Sequence, residues 1–181
     1  MTTFDFLDGN GPVPAHRHPN GGGWVADTAT VAETAFVGPN ARVYGNAQVC
    51  GNAHVSGKAW ISGKAEIGGN ARIYGDALIY GIAQVCGNAK VFDNARVCGS
   101  AQVCDNAWVF GNAWVFGNAK VFDNAQVCDN AKVFDNAWVC DNAKVCGHSE
   151  IHDGAQVYGD AKISGNAEVS GNAQVYSNVA Q

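Results

Sequence analysis

The sequence predicts an all-β protein built as one single-stranded parallel β-solenoid, wound as a left-handed β-helix with triangular coils of 18 residues. Three observations carry this. Val or Ile recurs at every sixth position from Val25 to Val175, twenty-six times, without an insertion or deletion. The fifth residue of each hexad is Ala except at Ser149 and Val179, and the fourth is Asn in 16 of them. The third residue is mostly Gly or Asp, giving pairs such as Gly45-Asn46, Gly87-Asn88 and Asp123-Asn124.

Each position has a physical meaning. Ala, x, Val, x alternates with period two, so Ala and Val share one face of a short strand and point into the core. Gly and Asn reach left-handed backbone angles at little cost, and Asx side chains close turns, so a corner follows every strand. A strand of about four residues with a two-residue corner cannot bury its apolar face alone and must stack. Three strands close one triangular coil, placing residues 18 apart above one another at about 4.8 Å. The hexads then make about nine coils and a rod roughly 40 Å long. Burying each Val or Ile contributes about 1.5 to 3 kcal/mol against about 1 to 2 kcal/mol of backbone ordering per residue, so stability accumulates coil by coil. The usual right-handed rule concerns long crossovers. Two-residue corners with left-handed angles favour the left hand instead.

Composition sets the bounds. The net charge of -5 and charged fraction of 15% give no overall basic field to recruit nucleic acid. Met1 to Asn10 has neither a basic n-region nor an apolar h-region, and no run of 18 apolar residues occurs, so a cytoplasmic location away from membranes is expected. Residues 1–20 read as an N-terminal cap segment and residues 21–181 as the solenoid. Pro12, Pro14 and Pro19 discourage regular structure in the cap. Its role is to cover the first coil, because an open strand edge invites pairing. His16-Arg17-His18 forms a polar cluster there, with a two-His ligand site as the functional alternative. At the other end, Ser177 to Gln181 stops within a hexad, which leaves end-to-end joining of rods open.

The Val-x-Gly-Asn-Ala-x pattern over residues 25–178 resembles the hexapeptide-repeat left-handed β-helix superfamily, whose motif sets Asn three residues and a small residue four residues after the aliphatic one. Gly21-Gly22-Gly23-Trp24-Val25, leading into Asn40-Ala41-Arg42-Val43-Tyr44-Gly45-Asn46-Ala47, looks like a subgroup of uncharacterised bacterial and phage proteins with a Gly-Gly-Trp opening. The resemblance implies a relation to acyltransferases, which are usually trimers with sites between neighbouring subunits, a loop breaking the coils, a catalytic His and often a C-terminal helix. This chain departs on each count: the hexads are unbroken, no helical segment follows them, and only His54, His148 and His152 lie within them.

Taking every eighteenth residue sorts the outward side chains onto three faces. One carries Trp60, Leu78, Tyr80, Trp114, Phe116 and Phe134, an apolar stripe that a monomer rarely exposes and that reads as a self-association face. The competing reading is a ladder of rings that stabilises its own sheet. A second face carries Arg72, Lys90, Lys144 and Lys162 beside Tyr74, Phe92, Trp108 and Phe110, and basic groups interleaved with rings can hold phosphates and stack bases. Acidic corners at Asp93 and Asp129 and the negative net charge favour a solvated face there instead. The third face is more polar, with Gln84 over Gln102 and Cys86 over Cys104.

All seven Cys occupy the residue after the aliphatic one, which suggests a surface choice in a reducing compartment. Cys86/Cys104 and Cys128/Cys146 are expected neighbours, yet stacked parallel side chains rarely meet a disulfide's torsional demands, so free thiols are expected. Straight ladders do not converge on a metal either. Asp105, Asp123 and Asp141 stack on one corner, where oxygen ligands suit calcium but a water-facing corner is the simpler reading. His148 and His152 sit on either side of a strand and corner and need not face each other. No catalytic, cofactor or metal residues are assigned. The reading is a non-enzymatic structural or interaction protein that self-associates as a homo-oligomer. An acyltransferase-like enzyme with an inter-subunit site and an anion or nucleic-acid binding surface are the alternatives.

Overall fold

The six-residue rhythm becomes three stacked sheets. A computed structural model describes residues 2–177, and from Trp24 to Ser177 the chain forms 26 short strands, every third of which joins the same sheet. The first sheet runs through the strands Arg42–Val43, Trp60–Ile61 and Leu78–Ile79, the second through His54–Val55, Arg72–Ile73 and Lys90–Val91, and the third through Gln48–Val49, Glu66–Ile67 and Gln84–Val85. Pairing is parallel and joins residues 18 apart, as in Trp60 with Leu78, Arg72 with Lys90 and Gln84 with Gln102. The chain is therefore a β-solenoid of about nine coils, with the coil length that the hexad predicts. Among the described residues no helix is long and apolar enough to cross a membrane.

Most strands are two residues long, shorter than the four expected, because the backbone turns sooner. The hydrogen-bond ladder nevertheless continues through the corners. Gln48, Cys50 and Asn52 each donate a backbone N–H to the next coil, to Ala65, Ile67 and Gly69 at 2.9, 2.8 and 2.8 Å. Stacking thus satisfies strand and corner alike.

The corners explain the Gly and Asp choices. Gly69 has φ of 66°, and a Cβ there would lie 2.8 Å from the carbonyl oxygen of Gly87 in the next coil. Asp takes the same left-handed angle at Asp93, Asp105, Asp123, Asp129, Asp135, Asp141 and Asp153. At Asp93, Asp105, Asp123, Asp129, Asp141 and Asp153 the carboxylate offsets the strain by accepting a backbone N–H from the coil above, as for Asp141 from Gly159 at 2.9 Å, Asp129 from Gly147 at 3.0 Å and Asp153 from Gly171 at 3.0 Å.

The core is one column of inward Val, Ile and Ala, closed to solvent from Ala35 to Val157. Ser149 replaces Ala within it, and its hydroxyl donates to the Cys146 carbonyl at 2.7 Å, so the buried polar atom is satisfied.

The cap corrects one expectation. Its prolines do not prevent regular structure: β1 (Thr3–Asp5) and β2 (Pro12–Arg17) form an antiparallel hairpin, and β2 pairs antiparallel with β3 (Trp24–Ala26), extending the first sheet. Pro12 opens its strand, where a missing donor costs least. Pro14 contributes only its carbonyl, which accepts the Asp27 N–H at 2.9 Å. The hairpin curls outward, since Phe4 stacks on Trp24 at 4.3 Å although β2 lies between their strands. Asn20 then covers the first strand of the second sheet, accepting the Val37 N–H at 3.0 Å and donating from Nδ2 to the Ala35 carbonyl at 3.0 Å. His16 and His18 take separate partners: exposed His16 pairs with Asp27 at 2.8 Å, and buried His18 sets Nδ1 3.2 Å from the Asn20 carbonyl. Residues 178–181, with Val179 and the chain end at which joining of rods is left open, lie outside the described residues.

The cysteines give a second correction. Cys86–Cys104 and Cys128–Cys146 are disulfides, with Cα atoms 4.6 and 4.7 Å apart. In-register stacking holds both side chains of a pair on one face within disulfide range, which outweighs the torsional objection. Disulfides persist in oxidising environments, so the thiol-based argument for a reducing compartment loses its support. Cys50, Cys98 and Cys140 are free thiols, and Cys98 is buried, so the surface-choice reading fails there too.

Candidate functional site

The three outer faces are where chemistry can be presented, and the period fixes which side chains meet. On the second face, His54, Arg72, Lys90 and Trp108 stack in consecutive coils, followed by Gln126, Lys144 and Lys162. All five residues expected for an anion-binding face are therefore in one column, divided by Gln126. Beside the column, Tyr74, Phe92 and Phe110 stack in parallel at 4.8 and 5.0 Å. On its other side, the corner amides of Asn70, Asn88, Asn106, Asn124 and Asn142 form a row in which each Nδ2 donates to the next side chain at 3.1 to 3.3 Å, ending on the Asp160 carboxylate. Between these two ladders lies an open polar groove of about 740 Å³ around His54, Arg72 and Lys90.

The electrostatics of the groove follow from its cations. Burial, with the Arg72 guanidinium second, holds the His54 imidazole below its ordinary value, because the charged form is disfavoured twice. Burial first and the Asp93 carboxylate second push the Tyr74 phenol up. Lys90 does not extend freely: its ammonium sits 4.2 Å over the Trp108 ring.

On the first face the structure gathers Trp60, Leu78, Tyr80, Trp114, Phe116 and Phe134, but in two groups. Phe116 and Phe134 stack at 4.8 Å, Trp114 tilts against Phe116 at 4.7 Å, and His152 stacks on Phe134 at 4.8 Å. These rings cover one another. Trp60, Leu78 and Tyr80 instead line a cleft of about 320 Å³ with Tyr44, and Tyr80 is 37% exposed. The Tyr80 phenol is pushed up to about 12, first by its hydrogen bond to Cys98 and then by burial. Ile82, on the next corner and 55% exposed, lengthens the apolar edge.

The remaining clusters have internal partners. The Asp105, Asp123 and Asp141 corner is a ladder in which each carboxylate accepts the N–H of the residue stacked on it, at 3.5, 3.3 and 2.9 Å for Asp123, Asp141 and Gly159. The Gln84 and Gln102 amides bond along the third sheet at 3.3 Å. His152 lies within reach of Asp135 and Asp153, but Nε2 faces Glu168 at 3.0 Å and Nδ1 faces Asp153 at 3.3 Å. His148 is exposed.

Sequence reasoning missed one arrangement that was present in the spacing. Each of the five Trp residues packs against a cation in the neighbouring strand: Arg17 over Trp24, Arg42 over Trp60, Lys90 over Trp108, Arg96 over Trp114 and Lys120 over Trp138, at 4.2 to 6.0 Å. Four of these pairs are a cation followed by Trp 18 residues later, the signal that sorting by face alone passed over.

Fold and surface together define a β-solenoid repeat protein. Four stretches, residues 47–63, 83–99, 101–117 and 125–141, are similar to the YdcK β-solenoid repeat, covering 68 of the 181 residues. Each begins on the inward Ala of a hexad, at Ala47, Ala83, Ala101 and Ala125, so the similarity keeps the phase seen here. No curated protein matches the chain.

Proposed function

We propose that this chain is a non-enzymatic structural and interaction rod that docks a second copy of itself through the cleft edge of the first face. The observation that carries the proposal is the exposed apolar edge of Tyr80 and Ile82 beside the half-buried Trp60 and Leu78. A second copy is the fitting occupant because its side chains repeat at the same coil spacing. Two rods laid antiparallel meet in register over the two coils of this edge and form a closed, two-fold interface. The phase shared with the YdcK repeat and the unbroken hexads support grouping the chain with the hexapeptide-repeat β-helices.

The test is multi-angle light scattering on the full chain and on the double variant Tyr80→Ser/Ile82→Ser, with circular dichroism to verify folding. A dimer that becomes a folded monomer supports the proposal. A monomeric parent chain, or a dimer that the double variant leaves intact, removes it. A second reading, anion binding on the second face, is favoured by the stack of Arg72 on Lys90 in the polar groove. It requires binding that weakens as salt rises.

A further inference from the structure

The cap hairpin builds a second cationic site on the first sheet, on the N-terminal side of the first-face cleft, with which it shares Trp60. Across four neighbouring strands of the first sheet, Arg17, Trp24, Arg42 and Trp60 lie opposite one another in register, alternating cation and ring. Both guanidinium groups are held in place. Arg17 lies 4.2 Å over the Trp24 ring while its Nη1 donates to the carbonyls of Gly22 and Pro39 at 2.7 and 3.1 Å. Arg42 is sandwiched between Phe4 and Trp60 at 5.3 and 5.0 Å, and its Nη1 donates to the Phe6 carbonyl at 3.2 Å.

Neither Arg has a carboxylate partner among the described residues, and in each only Nη1 of the donor fork is engaged. With Lys58 they border an open cavity of about 390 Å³ whose lining contains no acidic residue. In a chain of net charge -5 this is a local reversal of sign. The walls are aromatic, while the Asn40 side chain supplies a polar rim.

We infer that this cavity binds a monosaccharide-sized oxyanion, its negative group held by the Arg17 and Arg42 forks with Lys58 closing over it and its ring against the aromatic wall. Planar guanidinium forks match carboxylate and phosphate oxygens in two-point contacts. Their orientation is already fixed by the rings and backbone carbonyls, so little side-chain freedom is lost on binding. Carboxylate on a sugar and phosphate on a sugar share this chemistry.

The site is tested with the full chain by isothermal titration calorimetry at low salt, using glucuronate, glucose 6-phosphate, inorganic phosphate and glucose as separate probes. Binding of glucuronate alone identifies the carboxylate source, and binding of glucose 6-phosphate alone identifies the phosphate source. Lys58→Glu, a rim change at an exposed residue, is expected to weaken that binding at least 10-fold with unchanged circular dichroism. Arg42→Gln is expected to abolish it, and its melting curve shows whether the cap persists. Absence of binding by both sugar acids overturns the inference. So does inorganic phosphate binding as tightly as glucose 6-phosphate, or binding that Lys58→Glu does not change.

Discussion

Asp141 offers a direct measure of what a carboxylate does at a corner of this solenoid. Its backbone holds φ of 57°, an angle that costs a residue with a Cβ about 1 to 2 kcal/mol. Its carboxylate accepts the Gly159 N–H at 2.9 Å, a charge-assisted bond of about 1.5 to 3 kcal/mol, taken at the lower end because the residue is exposed. Asp141→Ala keeps the strain and loses the bond, for an expected loss of about 1.5 kcal/mol. Asp141→Gly loses the bond and the strain together, leaving a net change of less than about 1 kcal/mol. Alanine, ordinarily the milder replacement, is therefore expected to be the worse one. Urea denaturation followed by circular dichroism reads the order, and in thermal melts a loss of about 1.5 kcal/mol corresponds to roughly 3 to 6 °C for a chain of this size. If the Gly variant proves less stable than the Ala variant, the carboxylate is not relieving corner strain and the account of the Asp corners is wrong.

Two further outcomes concern the cysteines. Thiol titration of the oxidised, denatured chain is expected to give three thiols, rising to seven after reduction; seven without reduction would refute both coil-to-coil disulfides. Each disulfide closes an 18-residue separation, worth about 3 kcal/mol in a loop-entropy model, so reduction should lower the melting temperature by several degrees. Cys140 should alkylate slowly. Burial first, then Asp141 and Asp123, push its thiol up to about 11, so at pH 8 its thiolate is about 100-fold scarcer than at the ordinary value of 9.0. Its reaction with iodoacetamide should keep accelerating as pH rises past 9 toward 11, and a rate that levels off near pH 9 would contradict that cause.

The fold was legible because a single rule, repeated without a slip in phase, determines which residues face inward and which stand 18 apart. Side-chain pairing along the stack was legible where like stood over like, as with Gln84 over Gln102. It was misread where chemistry depends on local geometry. The thiols of Cys86 and Cys104 were placed correctly as neighbours, but their bond depends on side-chain torsions that the repeat spacing does not specify. The cap escaped because Pro12 and Pro14 look like strand breakers in isolation, and only the edge position of the hairpin makes them harmless. The cavity by Arg17 and Arg42 was hidden for a related reason: Arg17 and Phe4 lie outside the hexads, so no periodic rule brings them to Trp24 and Trp60.

The amide row from Asn70 to Asn142 has an orientation as well as a length. Every link points the same way along the rod axis, so the group dipoles add, as peptide dipoles do in a helix, and the row acquires a positive tip at its last amide. That tip meets the carboxylate of Asp160 at 3.1 Å, an anion placed where the accumulated field is most favourable to it. Reversing a single amide would set two donors or two acceptors against each other, so the row keeps one direction throughout. That stretch of the corner is thereby polarised along the rod axis, with its field directed onto Asp160.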